Sequence, residues 1–111
     1  PKEIQAYGDE ELICKVLENL LSNGIRYAAS RVSISVSQET ESVKIWVTDD
    51  GPGISAQDMP HIFERCYKGA GGHFGIGLAI AAASAAQMHG TLHAENAPEG
   101  GAKFELQLRG K

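Results

Sequence analysis

Val43, Ile45 and Val47 alternate with Lys44, Trp46 and Thr48, the period-two pattern of a strand whose two faces meet different surroundings. The strand runs directly into Asp49-Asp50-Gly51-Pro52-Gly53-Ile54, two carboxylates followed by a turn. Gly51 and Gly53 give the backbone freedom and Pro52 fixes φ between them, so main-chain atoms can approach a flat ligand where a Cβ would block it. Taken alone, the same residues also describe an ordinary solvated β-turn. Upstream, Val32, Ile34 and Val36 alternate with serines, and the polar run 38–42 predicts an antiparallel hairpin with the Asp49 strand.

Helical spacing dominates before that hairpin. Leu12, Ile13, Val16, Leu17, Leu20 and Leu21 form an apolar stripe, Asp9 stands at the N-cap, and Glu10 and Glu11 sit at the positive end of the helix dipole. Cys14 falls where a core residue of this helix is expected. Asn19, Asn23, Arg26 and Tyr27 recur at i, i+4, i+7 and i+8, which lines up four ligand-capable side chains along one face. As single residues they read equally as solvated amides, a surface charge and a core aromatic.

Ile4 to Tyr7 reads as a short strand, and Ser55 as the cap of a short helix through Phe63-Glu64-Arg65. Residues 69–72, a Gly-Ala-Gly-Gly run, break regular structure and predict a mobile loop. Beyond them Gly75-Ile76-Gly77 leads into an alanine-rich helix over residues 78–89, closed by Gly90 as its left-handed cap. Residues 91–94 and 103–108 alternate as a second hairpin around the turn 96–101. The expected fold is α+β: a two-layer sandwich, with a mixed sheet of about five strands covered by three helices.

With 111 residues the chain is read as one domain, residues 1–111. Its abrupt start at Pro1-Lys2-Glu3 is that expected of a piece of a longer protein. A formal charge of −4 excludes a general nucleic-acid surface, so any anionic ligand must be held locally. Two cysteines make neither a disulfide framework nor a zinc site and fit a cytoplasmic location, and no apolar run nears the roughly 18 residues of a membrane helix. His61 and His73 read as surface residues, and His89 and His93 have no carboxylate or cysteine partners at metal spacing.

The order of the motifs is more specific than any one of them. Asn19-Leu20-Leu21-Ser22-Asn23-Gly24-Ile25-Arg26-Tyr27, then Asp49-Asp50-Gly51-Pro52-Gly53, then Ile62-Phe63-Glu64-Arg65, then Gly75-Ile76-Gly77-Leu78-Ala79-Ile80, and finally Gly101-Ala102-Lys103-Phe104 resemble the ATP-binding catalytic domain of bacterial sensor histidine kinases. The likeness covers almost the whole chain and implies the Bergerat sandwich shared with gyrase and MutL. It implies that Asp49 accepts from the adenine amino group, that Gly51, Gly53 and Ile54 shape the base pocket, and that Tyr27 lies against the base. It implies that Asn23 holds Mg²⁺, that Arg26 meets the triphosphate, that Gly75 and Gly77 hinge the lid and donate amides, and that Phe63, Lys68, Ile76 and Leu78 are further nucleotide-binding residues.

There are departures from the family pattern. His73 stands where a glycine often opens the second glycine box, Cys66 where an aromatic follows the Phe motif, Lys68 where Arg is frequent, Arg26 where Lys is frequent, and Ala102 where Thr is common. These bear on lid contacts and on any water-mediated contact at position 102. Hydrolysing relatives of the fold place Glu at the position of Asn19, and an amide cannot take a proton from water, so position 19 argues against efficient ATP hydrolysis. Asn19, Asn23 and Arg26 are therefore the residues expected to serve phosphoryl transfer to a histidine on a separate dimerisation domain, with a response regulator downstream. None of the four histidines is followed by an acidic residue, as the family's acceptor is. A serine protein kinase of the anti-sigma type and a non-catalytic nucleotide-binding module remain the alternatives on the same fold.

Overall fold

The computed structural model describes residues 9–27, 31–39, 41–64, 77–98 and 100–109, with the side chains of Arg26 and Tyr27 outside the description. Helix α1 spans Glu10–Tyr27, β1 Val32–Gln38, β2 Ser42–Asp49, a 3-10 turn Met59–His61, α2 Gly77–Gln87, β3 Thr91–Asn96 and β4 Ala102–Arg109. The four strands form one sheet in the order β1-β2-β4-β3, antiparallel throughout. The two helices pack side by side on one face, α1 over β2 and α2 over β3.

Helix α1 starts where its cap is. Asp9 Oδ1 accepts the N–H groups of Glu11 at 2.8 Å and Leu12 at 3.2 Å, donors that the first turn otherwise leaves unpaired. Val16 and Leu20 are wholly buried, with Ile13, Leu17 and Leu21 packed around them. A Leu in that position contributes ~1.5–3 kcal/mol over an exposed one. Cys14 is exposed, contrary to expectation, because its helical phase turns it away from the Val16–Leu20 line.

Register explains the two faces of the sheet. Val43, Ile45 and Val47 of β2 stand opposite Leu108, Leu106 and Phe104 of β4 and carry the core toward the helices. On the helix-free face Trp46 Nε1 donates to Glu105 Oε1 at 3.0 Å, and Lys103 Nζ lies 5.3 Å from the Trp46 ring centroid. Edge strand β1 leaves Ile34 and Val36 about half exposed, since α1 meets β1 near its start, where Gly24 approaches Val32.

The elements differ from expectation in several places. Among the described residues the sheet has four strands and no parallel pair; the strand expected at residues 4–7 lies outside the description. Among the described residues there are two α-helices, because the segment capped by Ser55, whose Oγ accepts the Asp58 N–H at 3.1 Å, makes only a 3-10 turn. Pro60 sits in that turn and brings no N–H to extend it. Finally, the left-handed residue closing α2 is His89, at φ 58°, and Gly90 follows it. Gly90 N–H reaches back to Ala85 O at 2.9 Å and His89 N–H to Ala86 O at 3.0 Å, a Schellman closure. Gly90 is needed for contact: a Cβ there would stand 2.7 Å from Gln107 O and 2.9 Å from Leu108 Cδ2.

Candidate nucleotide site

Asp49 continues the inward phase of Val43, Ile45 and Val47, so the strand that supplies core side chains supplies a carboxylate as its last residue. It is buried, with 6% of its surface exposed. One carboxylate oxygen, Oδ1, accepts the N–H of Gly51 at 2.9 Å and of Ala102 at 3.3 Å. The other oxygen has no hydrogen-bond partner among the described residues. A buried acceptor left open in this way carries a desolvation cost that a donor from a ligand would relieve.

The turn 49–54 is fastened at several points. Asp50 Oδ1 accepts the Arg31 N–H at 2.9 Å, and the Asp50 N–H donates to Arg31 O at 3.2 Å, which fixes the turn to the entry of β1. At the far end Ile54 N–H donates to Asn96 Oδ1 at 2.7 Å and Asn96 Nδ2 donates to Ile54 O at 2.8 Å. Gly53 has φ 80°, the left-handed region that favours glycine. Gly101, at φ 87°, brings its Cα directly onto the Asp49 carbonyl, where a Cβ would overlap it. The turn of the β3–β4 hairpin thus closes over the turn that follows β2.

Helix α1 brings the second group of residues. Asn23 is buried, 8% exposed, and no hydrogen bond satisfies its side-chain amide among the described residues. Asn19, one turn earlier, donates from Nδ2 to Lys15 O at 2.8 Å. Its Oδ1 lies where a Cβ on Gly77 would come within 3.0 Å, so Asn19 and the first residue of α2 are neighbours across the helix pair. The N-terminus of α2 presents backbone N–H groups beginning at Gly77, an electropositive end suited to an anion.

Ile54, Phe63 and Leu78 belong to the core beneath the site. Leu78 is 1% exposed and Ile54 8%, and the Phe63 ring meets Phe104 edge-on at 6.3 Å and 76°. Leu78 therefore has its side chain in the core and only its backbone toward any ligand. Lys68, Gly75 and Ile76, together with the predicted loop at 69–72, lie outside the described residues. No three His, Cys, Asp or Glu side chains converge among the described residues. A metal here would rest on an amide oxygen and the ligand's own oxygens; the buried Asn23 amide, without a partner among the described residues, fits that requirement.

Sequence reasoning missed Asn96 and Asp50 as parts of the site. Both are ordinary turn-type residues, and the signal that distinguishes them is a partner 42 positions away for Asn96 and 19 for Asp50. Neither distance leaves a trace in local spacing.

Comparison with known proteins agrees with this geometry. A family model described as "Histidine kinase-, DNA gyrase B-, and HSP90-like ATPase" matches residues 8–111. The signal transduction histidine-protein kinase AfsQ2 of Streptomyces coelicolor is 38% identical over 110 residues, covering 95% of this chain and 21% of the relative. The sensor histidine kinase CpxA of Escherichia coli is 32% identical over 108 residues, 92% of this chain and 24% of the relative. The chain thus spans about a quarter of the length of these curated relatives. Among solved structures, the mycobacterial sensor histidine kinase MprB superposes with a TM-score of 0.87 at 26% identity, covering 97% of this chain and 78% of that one. Full-length ShkA in complex with AMPPNP gives 0.85 at 26% identity, 97% of this chain and 23% of that one. With an antiparallel sheet under two helices, a buried carboxylate at the end of β2 whose second oxygen has no partner among the described residues, and a family match over nearly its whole length, the chain belongs to the histidine kinase-, DNA gyrase B- and HSP90-like ATPases, and the relatives named above are histidine kinases.

Proposed function

We propose that this chain is the ATP-binding catalytic portion of a sensor histidine kinase, and that it presents the γ-phosphoryl group of ATP to a histidine on a separate dimerisation domain of the same protein. The observation that carries the reading is Asp49: a buried carboxylate with one oxygen committed to two backbone N–H groups and the other without a partner among the described residues. The open oxygen is an acceptor for the exocyclic amine of adenine, and guanine presents a carbonyl at that position. In this reading Gly51 and Gly53 would shape the base pocket, and Ile54 would form part of its floor.

The triphosphate would extend toward α1 and the start of α2. The buried Asn23 would supply an amide oxygen for Mg²⁺, and the N–H groups at the start of α2, beginning at Gly77, would meet the phosphates. Arg26, Lys68, Gly75 and Ile76 complete the phosphate side in this reading, and Tyr27 packs on the base. Mg²⁺, when bound, neutralises charge on the phosphate oxygens. Asn19 is an amide already donating to Lys15 O, so it offers water no base, and the γ-phosphoryl group is held for a better nucleophile. The acceptor nitrogen attacks phosphorus, the bond to the bridging oxygen breaks, and ADP leaves. A response regulator then takes the phosphoryl group from the histidine. No helix among the described residues is long and apolar enough to cross a membrane, and the reading places this portion in the cytoplasm.

Two measurements test this. Calorimetry should show ATP and ADP binding with Mg²⁺ and clear preference over GTP. Incubation with labelled ATP and the histidine-bearing helical hairpin of the same kinase should label the hairpin. Binding without transfer would favour a non-catalytic nucleotide module, and labelling of a serine would favour a serine kinase.

A further inference from the structure

We infer that Asn96, the last residue of edge strand β3, is a positioning residue for the base-recognition turn, which it holds with its side chain. Its primary amide grips both polar groups of Ile54: it accepts from Ile54 N–H at 2.7 Å and donates to Ile54 O at 2.8 Å. These are the two bonds a neighbouring strand would make, supplied by one side chain to a segment that belongs to no strand. The amide also fills the space beside Gly53, where a Cβ would stand 2.7 Å from Asn96 Oδ1. Only a short primary amide meets this geometry. Aspartate has no donor for Ile54 O, serine has one polar atom, and glutamine is longer by a methylene.

The clamp acts on one end of the turn only. Asp50 remains tied to Arg31, and Asp49 to Gly51 and Ala102, whatever stands at position 96. Loss of the clamp therefore frees Gly53 and Ile54 relative to a carboxylate that stays in place. Asn96 is itself exposed and lies outside the buried cluster, so its removal leaves core packing intact. The consequence falls on the fit between the open Asp49 oxygen and the wall that sets the base opposite it. This inference rests on the reading of the turn as the adenine site.

The test uses the 111-residue chain and the variants Asn96→Ala, Asn96→Asp and Asn96→Ser, titrated with ATP and with GTP in the presence of Mg²⁺. Thermal unfolding is followed in parallel, and the Ile54 amide resonance serves as a direct reporter of the clamp. Asn96→Ala should weaken ATP by about tenfold, the order expected for two lost hydrogen bonds, while GTP changes less, so the ATP/GTP ratio shrinks. Asn96→Asp, nearly the same shape, should be as impaired as Asn96→Ala because its second oxygen faces Ile54 O. Asn96→Ser should fall between wild type and Asn96→Ala, and it gives the reading if Asn96→Ala does not fold. Folded variants that keep the wild-type ATP/GTP ratio would overturn the inference. So would a failure of both Asn96→Ala and Asn96→Ser to fold, which would make the clamp a folding contact. A wild-type chain with no preference for ATP would instead remove the adenine reading on which the inference stands.

Discussion

Gly101 rests on the backbone carbonyl of Asp49, with no room between them for a side chain. Gly100, one residue earlier, has φ 106° and nothing within 4 Å of a Cβ position. The pair separates strain from contact. Gly100→Ala should cost ~1 kcal/mol through backbone conformation alone. Gly101→Ala should cost ~3 kcal/mol or more, since the added atom must push the two turns apart. Equal shifts in chemical denaturation would mean that the hairpin turn moves away from Asp49 freely.

Asp49→Asn preserves an acceptor for the Gly51 and Ala102 N–H groups and replaces the open oxygen by an NH₂. The fold should persist, with stability changed by about 1 kcal/mol or less. ATP affinity should fall at least about tenfold, because two amine donors then face one another. Calorimetry on the folded variant checks this, and unchanged affinity would take Asp49 out of the site.

Asn23→Ala removes a buried amide that has no partner among the described residues, so the free protein should be as stable as wild type or slightly more so. Binding of nucleotide with Mg²⁺ should weaken, while nucleotide in the presence of a chelator binds nearly as before. The comparison is made by titration with and without Mg²⁺. Equal losses under both conditions would withdraw the metal assignment and leave Asn23 a pocket residue.

His89→Gly should be neutral or stabilising by up to ~1 kcal/mol, because it relieves a left-handed residue at the end of α2. Gly90→Ala should destabilise by ~2 kcal/mol or more, since its Cβ meets the Gln107 carbonyl of β4. Thermal unfolding of the two variants tests whether conformation and contact are divided between these residues as described. A destabilising His89→Gly would show that the imidazole contributes more than its backbone costs.

Much of this architecture was legible because its signals are local. The Asp9 cap, the Val16–Leu20 stripe and both hairpins follow from spacing over a few residues, and Asp49 could be singled out because it ends an alternating strand before a Gly-Pro-Gly turn. What could not be read depends on where one element stops against another. Cys14 looked like a core residue because it lies within an apolar stripe, yet its angle about the helix axis carries it out to solvent. Gly90 looked like the left-handed cap because glycine so often is; the close approach of β4 needs it one position later, and His89 takes the strained angle instead. Asn96 read as a turn residue because nothing near it in the chain reveals that Ile54 is waiting for both its atoms.

The placement of Asp49 in the inward phase of β2 gives the protein a built-in check on its own assembly. Strand side chains alternate, so sliding β2 by one residue against β4 would carry Asp49 to the face occupied by Trp46 and Lys103 and bring Lys44, Trp46 and Thr48 under the helices. No such misaligned chain could offer a shielded carboxylate to a ligand. Molecules competent to bind through Asp49 are therefore those whose sheet is correctly aligned, and the fraction of a refolded sample that binds counts the chains that found the right register.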